Sequence, residues 1–439
     1  MRIERLGALG DAAAVLLAVA DAASRMGQPP PAALIGDWFG ARAVIAPTVT
    51  AAPADPRGVF VAPPQLFDGR SASLAGPGGG VGGGWIGYLS YPDAGADRCP
   101  ARIPEAAGGW ADLVLRQDRE GTWWYESLSG DPLPRWVSRA VLSPPRQPWC
   151  HIAWDGADRD THRAGVRACL DAIAAGEVYQ ACVCTQFRGE VTGSPVDFFV
   201  EAVARTAPAR AAFVAGPWGA VASLSPELFL RRVGDTVTSS PIKGTLPRNA
   251  SPSALRNSAK DIAENIMIVD LVRNDLGRVA VTGTVGVPEL LAVRPAPGVW
   301  HLVSTVSARV PAELPITALL DAAFPPASVT GTPKGRARQL LSQWEPRRRG
   351  VFCGTVGLAS PTAGCELNVA IRTVEFDAGR TAVLGVGGGI TADSDPDSEW
   401  QECLHKAAPW VARAFEEPPV AATPGGPAPF PGGVKSTPA

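Results

Sequence analysis

Apolar residues recur at helical spacing most clearly in residues 258–275, SAKDIAENIMIVDLVRND. The residues at this spacing are Ile262, Ile266, Val269, Val272 and Leu276. The spacing predicts an amphipathic helix, and Ser258 followed by Asp261 resembles a capping box at its start. Ile268 and Leu271 make the opposite side apolar as well. We therefore expect this helix to be buried on both sides, with partners for its polar residues.

Other segments divide into further helices and alternating strands. Residues 158–176 predict a helix that ends near Gly176, and the strand VYQACVCTQF follows it. Short alternating runs between 211 and 242 favour antiparallel pairing over repeated strand–helix–strand units. Residues 1–26 predict an amphipathic helix, and residues 393–410 predict a helix that Ser398 could cap.

The chain of 439 residues is long enough for one large domain or two ordinary ones. Residues 1–150 predict short strands and loops, and residues 151–415 hold the denser motifs. The glycine run at 76–84 lacks the spacing of a phosphate-binding loop, so we expect a flexible connection there. Residues 416–439 are rich in Pro and Gly and predict a disordered tail.

Charge and cysteine usage exclude several classes of function. The 40 basic and 42 acidic residues nearly balance, with a formal net charge of −2, so neither nucleic acid nor an anionic membrane is an expected partner. No run approaches 18 uncharged apolar residues, and no signal-peptide cleavage pattern follows the N-terminus. No two of the 8 cysteines are spaced as in a C-x-x-C motif. We expect a cytoplasmic protein without a membrane span.

Three acidic residues could hold a metal. Glu264 lies in the helix of residues 258–275, and Glu399 and Glu402 share a helix face with Lys406, at i, i+3 and i+7. The spacing alone favours the alternative of a solvated, ion-paired surface. If Glu264 faces the same cavity, oxygen-only ligands favour Mg²⁺ with retained waters.

Two glycine-rich turns could receive an anion. Thr330 and Gly331 precede a basic helix start in SVTGTPKGRARQLL, where free N–H groups favour a carboxylate or phosphate. In VGGGIT, Gly387 and Gly389 let backbone N–H groups approach a ligand closely. Either turn alone is also compatible with a structural role.

Four single residues have both a chemical and a structural interpretation. Glu227 could donate a proton if burial raises its pKa, and a buried Arg372 must pair with an acid or a bound anion. His301 lies among apolar residues, where a core histidine with one hydrogen bond is common. Lys243 in SSPIKGTLPRN could be a solvated loop charge or an amine nucleophile in a pocket.

Taken together, eight segments resemble those of the chorismate-utilising enzymes in order and spacing. This family includes component I of anthranilate synthase, component I of aminodeoxychorismate synthase, and the isochorismate and salicylate synthases. The segments are SLSPELFL, SSPIKGTLPRN, SAKDIAENIMIVDLVRNDLGRV, VWHLVSTV, FPPASVTGTPKGRA, GTVGLAS, LNVAIRT and VGGGITADSDPDSEWQECLHKA. The resemblance is dense over about residues 160–412 and loose over residues 1–150.

The resemblance implies an α+β fold like that of anthranilate synthase component I. Two packed antiparallel β-sheets would be flanked by helices, with the site in a cleft. Residues 1–150 would be the N-terminal part of this fold and 151–415 its chorismate-binding catalytic region.

The resemblance also implies a role for each candidate residue. Glu264 and Glu402 correspond to Mg²⁺ ligands, with Glu399 beside them, and Glu227 corresponds to the general acid. The remaining positions correspond to substrate contacts or other active-site residues: His301, Thr330, Arg372, Gly387, Gly389 and Lys406.

Two positions separate the branches of the family. Water-adding members resemble one another in carrying a lysine base where this chain has Gln180, so an ammonia-using branch is favoured. Lys243 is typical of aminodeoxychorismate synthase component I, in which the lysine is thought to attack the ring covalently. Leu246, Phe352 and Thr332 depart from the usual residues of the family. No glutaminase motif is evident, which implies a separate glutamine amidotransferase subunit that supplies ammonia.

Two alternatives remain open. Anthranilate synthase component I would release anthranilate and pyruvate from the same substrate. A non-catalytic paralogue would bind chorismate and regulate a partner.

Overall fold

The computed structural model describes residues 1–61, 80–93, 100–144 and 146–411. The predicted tail at 416–439 lies outside the described residues, as do residues 76–79 of the predicted glycine-rich connection, whereas residues 80–84 are described and Gly84 begins a strand. The strands are β1 (Arg2–Gly7), β2 (Ala32–Trp38), β3 (Ala41–Ala46), β4 (Ala52–Pro53), β5 (Gly84–Leu89), β6 (Ala106–Ala111), β7 (Leu113–Gln117), β8 (Trp123–Ser127), β9 (Cys150–Trp154), β10 (Gln180–Gly193), β11 (Arg210–Gly216), β12 (Gly219–Ser225), β13 (Leu228–Val233), β14 (Thr236–Ser240), β15 (Ile242–Pro247), β16 (Gly286–Ala296), β17 (Val299–Arg309), β18 (Gly331–Thr332), β19 (Thr355–Ser360), β20 (Gly364–Asn368), β21 (Thr373–Asp377) and β22 (Thr381–Ile390).

Helices lie between and around these strands. They are α1 (Ala12–Arg25), α2 (Arg135–Ala140), α3 (Arg159–Ala174), α4 (Pro195–Thr206), α5 (Pro252–Asn257), α6 (Ala259–Gly277), α7 (Ile316–Ala323), α8 (Lys334–Trp344) and α9 (Pro396–Val411). A short 3₁₀ helix spans Ala327–Val329. Among the described residues, none of these helices has the length and apolar character needed to cross a membrane.

The strands form two antiparallel sheets. Within the described ranges, the first sheet has 12 strands in the order β1-β8-β7-β3-β2-β11-β12-β21-β22-β10-β18, with β9 beside β10. The second has 10 strands in the order β15-β17-β14-β13-β20-β19-β5-β6-β4, with β16 beside β17. Pairings such as β11–β12 and β13–β14 are antiparallel, as the alternating runs predict.

A hydrophobic core fills the space between the two sheets. Leu34 of the first sheet belongs to the same cluster as Ile86 and Leu358 of the second. The neighbour of Leu34, Ile35, lies on the other face with residues of α1, α4 and α9, because successive side chains of a strand point to opposite faces. The predicted α+β arrangement of two packed antiparallel sheets flanked by helices is confirmed.

Both halves of the sequence contribute strands to both sheets. β2 pairs with β11 in the first sheet, and β5 pairs with β19 in the second. The described strands of residues 1–150 thus belong to the same two sheets as the strands of residues 151–415.

The predicted helix at 258–275 is α6, and the Ser258 hydroxyl accepts the N–H of Asp261 at its start. Ile268, Val269 and Leu276 pack on the second sheet and α7. The expectation of burial on both sides is wrong, since Ile266 is 46% exposed. Only one side of α6 packs on the second sheet, and the other carries polar residues.

Three other local predictions have mixed outcomes. α3 and β10 match the predicted helix and strand. The N-terminal helix starts later than predicted, since Arg2–Gly7 pairs with β8 and Asp11 caps α1 by accepting the N–H of Ala14. Ser398 does not cap α9: Asp395 accepts both its N–H and its hydroxyl, so the helix starts earlier.

Candidate active site

The glycines of β22 form a floor on which residues from both sheets meet. Gly389 lies opposite Cys182 of β10. A Cβ at Gly389 would clash with the side-chain amide of Gln180 and would lie 2.9 Å from Nζ of Lys243. Lys243 belongs to β15 of the second sheet, and Gln180 and Gly389 belong to the first. The predicted amine therefore reaches across the cleft between the sheets.

The same glycine run brings the carboxylates of α9 to the cleft. A Cβ at Gly388 would lie 2.8 Å from Oε2 of Glu399 and 3.9 Å from Oε1 of Glu402. Gly388 and Gly389 do not have the left-handed backbone that favours glycine. Glycine is required at both positions for steric reasons, because any Cβ would occupy the space between the strand and these polar groups.

Glu264, Glu399 and Glu402 lie in unequal electrostatic surroundings. Burial raises the pKa of Glu264, and the nearby Glu399 carboxylate contributes to the rise. Burial also raises the pKa of Glu399, and the Glu402 carboxylate adds to this rise. Ser394 donates a 2.7 Å hydrogen bond to Oε1 of Glu399. The three carboxylates thus influence one another from two helices.

Lysines partly balance this negative charge. Nζ of Lys406 lies 2.7 Å from Oε1 of Glu402 and donates to the carbonyl oxygen of Gly387 at 2.6 Å. Nζ of Lys260 lies 3.9 Å from Oε1 of Glu264. Although burial opposes it, Lys406 keeps the pKa of Glu402 below its usual value. The ion pair of Glu402 and Lys406 that the surface alternative expects is present, and the two side chains are 51% and 40% exposed.

The carboxylates have the chemistry that Mg²⁺ prefers, which is oxygen ligands with several waters retained. In the described part of the chain, no group of three His, Cys, Asp or Glu side chains is arranged to hold a metal by itself. Burial is the main cause of the raised pKa values of Glu264 and Glu399, and a neighbouring carboxylate, Glu399 and Glu402 respectively, adds repulsion that a cation would relieve. The residues therefore fit Mg²⁺ when water or a ligand supplies further oxygens.

Glu227 and Arg372 lie where the chain passes between the two sheets. Glu227 lies between β12 and β13, and Arg372 between β20 and β21. The carbonyl oxygen of Glu227 accepts the N–H of Val369 at 3.1 Å, which joins the two crossings. Arg372 has φ of 51°, a left-handed conformation that costs free energy in a residue other than glycine. The backbone there is held by its surroundings.

Glu227 has the surroundings of a proton donor. It is 3% exposed, and burial raises its pKa to about 7. A hydrogen bond from Ser328 and the charges of Lys243 and Arg372 counter only part of this rise. A carboxyl with a pKa of about 7 is protonated in a large fraction of molecules near neutral pH.

His301 and Gln180 present unpartnered polar atoms. Burial lowers the pKa of His301 to about 4, and the charge of Arg372 adds to the effect. Its Nδ1 lies 2.8 Å from the hydroxyl of Thr245, whereas its buried Nε2 has no protein partner. Oε1 of Gln180 is likewise buried without a partner. Buried polar atoms of this kind usually bind a ligand or water.

Thr330 lies at the site, but its hydroxyl is already engaged. It is fully buried and donates to the carbonyl oxygen of Pro326 at 2.9 Å. Its own carbonyl oxygen accepts the N–H of Cys182. The Thr330 side chain therefore holds the turn beside β10.

A buried ion pair supports this turn from behind, and our sequence analysis missed it. Nη1 of Arg349 donates to the carbonyl oxygen of Val329 at 2.8 Å, and its Nε donates to Oε2 of Glu345 at 2.8 Å. A further bond reaches the carbonyl oxygen of Cys182. Glu345 also accepts the N–H of Cys184 at 3.0 Å. The only local signal was the run of three arginines at 347–349.

Ser328 and Thr245 were also missed as site residues. Each lies within a segment that carries the family resemblance, SVTG and PIKGT. Each bonds a predicted residue, Glu227 or His301 respectively. These contacts join elements distant in sequence, which local patterns do not reveal.

A cavity of about 740 Å³ opens between α6, α7 and the start of α8. It borders the site, because its wall includes Met267, one turn after Glu264, and Thr332, which pairs with Gln180. None of the predicted site residues lines it. The site is defined by converging side chains and not by the size of a cavity.

Proteins of known name share much of this sequence. The chain is 38% identical over 279 residues to aminodeoxychorismate synthase component 1 of Escherichia coli K12, covering 62% of this chain and 61% of that relative, less than two thirds of its length. It is 39% identical to the protein of the same name from Klebsiella aerogenes, covering 74% and 75% of the two chains.

A solved structure shares the fold. Anthranilate synthase component I from Streptococcus pneumoniae TIGR4 superposes with a TM-score of 0.69 at 23% identity, covering 93% of this chain and 92% of that one. The sequence pattern of the chorismate binding enzymes matches residues 61–412, well over half of the chain. This chain is a member of the chorismate binding enzyme family.

Proposed function

We propose that this chain is an aminodeoxychorismate synthase component 1, which converts chorismate and ammonia to 4-amino-4-deoxychorismate and water, on the route to 4-aminobenzoate and folate. The observation that carries the proposal is the meeting of Lys243 and Gln180 over Gly389. An amine beside a neutral amide, with Gln180 at the position where water-adding members carry a lysine base, suits amination. The names of the relatives above support the same reaction.

The proposed chemistry uses a covalent amine and a buried acid. The amine of Lys243 attacks the chorismate ring while Glu227 protonates the departing 4-hydroxyl group, which leaves as water. Ammonia then attacks the carbon that lost the hydroxyl, and the bond to Lys243 breaks with its electron pair returning to the amine. One ammonia is consumed and one water is released.

Other residues hold the substrate dianion. Arg372, Lys406 and the backbone of Gly387 and Gly389 are proposed to contact its carboxylates. Unpartnered Nε2 of the neutral His301 can donate to substrate if the Thr245 hydroxyl donates to Nδ1.

Mg²⁺ is proposed to bind Glu264 and Glu402, with Glu399 acting on its bound waters. When bound, the ion supplies charge balance for the ring carboxylate. Ser394 holds the Glu399 carboxylate and Lys406 holds the Glu402 carboxylate near Gly388.

Gln180 favours ammonia over water as the incoming nucleophile. An amide oxygen accepts hydrogen bonds but is too weak a base to deprotonate water. Neutral ammonia is a much stronger nucleophile than neutral water and attacks without first losing a proton, so it needs no such base. The buried, unpartnered Oε1 of Gln180 is placed to accept an N–H from it.

Ammonia is proposed to come from a separate glutamine amidotransferase subunit, since the relatives are named as a component of a synthase. We propose that the reaction takes place in the cytoplasm without a nucleic acid or membrane partner. The seven cysteines of the described residues are free thiols, which supports a reducing compartment.

The test is a product analysis. The purified chain is incubated with chorismate, Mg²⁺ and ammonium, and the products are identified by mass with and without an added lyase. We expect aminodeoxychorismate that accumulates until the lyase is added, and no turnover when a chelator removes Mg²⁺. Anthranilate would instead identify the other synthase, and chorismate binding without turnover would identify a regulatory paralogue.

A further inference from the structure

Ser328 makes a short, buried contact with the proposed acid. Its Oγ donates to Oε1 of Glu227 at 2.6 Å. Ser328 is 7% exposed and Glu227 is 3% exposed, so bulk water does not compete for the bond. The two residues are 101 positions apart in sequence, and Ser328 belongs to the 3₁₀ helix that precedes β18.

We propose that Ser328 is a positioning residue that keeps Oε1 of Glu227 as a hydrogen-bond acceptor and thereby places the transferable proton on Oε2. A protonated carboxyl has one O–H donor and one carbonyl-type oxygen. A hydroxyl that donates to Oε1 favours the tautomer in which that oxygen lacks the proton. This inference rests on the proposed function, in which Glu227 is the general acid.

The 3₁₀ helix is held firmly enough to fix this geometry. Arg349 donates to the carbonyl oxygen of Val329 at 2.8 Å, and Thr330 donates to the carbonyl oxygen of Pro326 at 2.9 Å. Ser328 lies between these two anchors. Its hydroxyl can therefore restrict the carboxyl of Glu227 at little further cost in conformational entropy.

Other charged groups also face Glu227. Lys243 from β15 and Arg372 from the crossing after β20 favour its ionised form. Asp275, paired with Lys334, lines a small cavity that Glu227 also lines. A Ser328→Ala change leaves all of these groups in place, so a change in the titration of Glu227 reports the hydroxyl itself.

The first experiment measures the pH profile of kcat for amination by Ser328→Ala. The lost bond stabilises the ionised carboxyl, so its removal raises the pKa of Glu227. We expect the upper limb of the profile to move to higher pH by about one unit and kcat to fall about tenfold, with KM for chorismate within about twofold. A fall in kcat with an unmoved limb would overturn the proposal.

Ser360→Ala is the matched control. Ser360 is a buried serine on β19 whose hydroxyl donates to the carbonyl oxygen of Val81 at 2.7 Å, away from Glu227. A purely structural loss of a serine hydroxyl should lower stability and leave the limb unmoved. An equal shift of the limb in both variants would also overturn the role of Ser328.

The second experiment needs no enzymatic activity. Melting temperatures are measured for the parent chain, Ser328→Ala, Glu227→Gln and the double variant at pH 5.5 and 8.5. We expect Ser328→Ala to lower the melting temperature more at pH 8.5 than at pH 5.5, and this pH difference to vanish in the Glu227→Gln background. An equal loss at both pH values would overturn the proposal, whether or not the parent chain aminates chorismate. Failure of the product analysis with this coupling intact would reject the proposed function alone.

Discussion

Two clusters of charge lie close together and are built in opposite ways. Behind the turn at 328–330, Arg349 is 2% exposed and bonds Glu345 and the carbonyl oxygens of Val329 and Cys182. In the cleft, Lys243 and Gln180 meet over Gly389, beside the carboxylates of Glu399 and Glu402 near Gly388. Oε1 of Gln180 and Nε2 of His301 are buried there without a protein partner. One cluster is complete without a ligand, and the other has open positions.

The difference separates structure from function. A buried charge whose hydrogen bonds are all satisfied by the protein holds elements in place. A cluster that leaves buried donors and acceptors open costs folding free energy that a ligand can return on binding. Removing a member of the first cluster should mainly affect stability, whereas removing a member of the second should mainly affect turnover.

The largest effect is expected from Arg349→Met. The change leaves the Glu345 carboxylate and two carbonyl oxygens without their buried partner. We expect a loss of about 3–5 kcal/mol in the free energy of unfolding, measured by denaturant titration. Arg309→Met is the control, because Arg309 is 65% exposed in its pair with Asp235 and should cost less than about 1 kcal/mol. Similar losses in both variants would erase the contrast between the clusters.

Lys243→Ala should have the opposite effects, with a large loss of turnover and little change in stability. The amine that we propose attacks the ring is gone, so amination should fall at least about a hundredfold, equivalent to about 2.7 kcal/mol. Chorismate should still bind, and the free energy of unfolding should change by less than about 1 kcal/mol. Turnover and calorimetric binding are measured on the same sample. Full activity would remove the covalent step and leave family membership intact.

Glu227→Gln should change how stability depends on pH. Because burial raises the pKa of Glu227 to about 7, its favourable contribution is complete below its unfolded value and is lost as pH rises through about 7. Between pH 5 and 8.5, we expect the free energy of unfolding of the parent chain to fall by up to about 2–3 kcal/mol more than that of the glutamine variant. Parallel stability curves for the two chains would show that Glu227 titrates normally.

The smallest effect is expected from Lys260→Gln at the outer edge of the cleft. Nζ of Lys260 lies 3.9 Å from Glu264, and the Lys260 side chain is 51% exposed. Exposed i, i+4 pairs contribute about 0.3–0.5 kcal/mol. We therefore expect the equilibrium constant for unfolding and kcat/KM each to change by less than about threefold. A tenfold loss of kcat/KM at physiological salt would instead show that Lys260 acts with the cleft residues in turnover.

The sequence alone predicted the residues of the open cluster better than those of the complete one. Lys243, Glu264 and Glu402 stand in segments with strong family resemblance, and periodicity placed two of them on helices. Arg349 gave no comparable signal, since its partners are mostly backbone atoms of distant strands. Local patterns also did not reveal the exposure of Ile266, which depends on what packs against α6.

Contacts set by long-range register were equally hidden. The approach of Lys243 to Gln180 depends on β10 and β22 pairing with Cys182 opposite Gly389. The bond from Ser328 to Glu227 depends on where the chain crosses between sheets. Neither contact follows from the periodicity of any one segment. Periodicity indicates which face of a helix or strand is buried, but not which residues pack against that face.

The interleaving of distant strands constrains how the chain can be made. β19, β21 and β22 insert beside β5, β12 and β10, although the latter strands are synthesised far earlier. Until residues 355–390 leave the ribosome, those earlier strands have open edges with unpaired N–H and C=O groups. A nascent chain therefore cannot complete either sheet during most of its translation, and holdase chaperones that shield strand edges should associate with it in that interval.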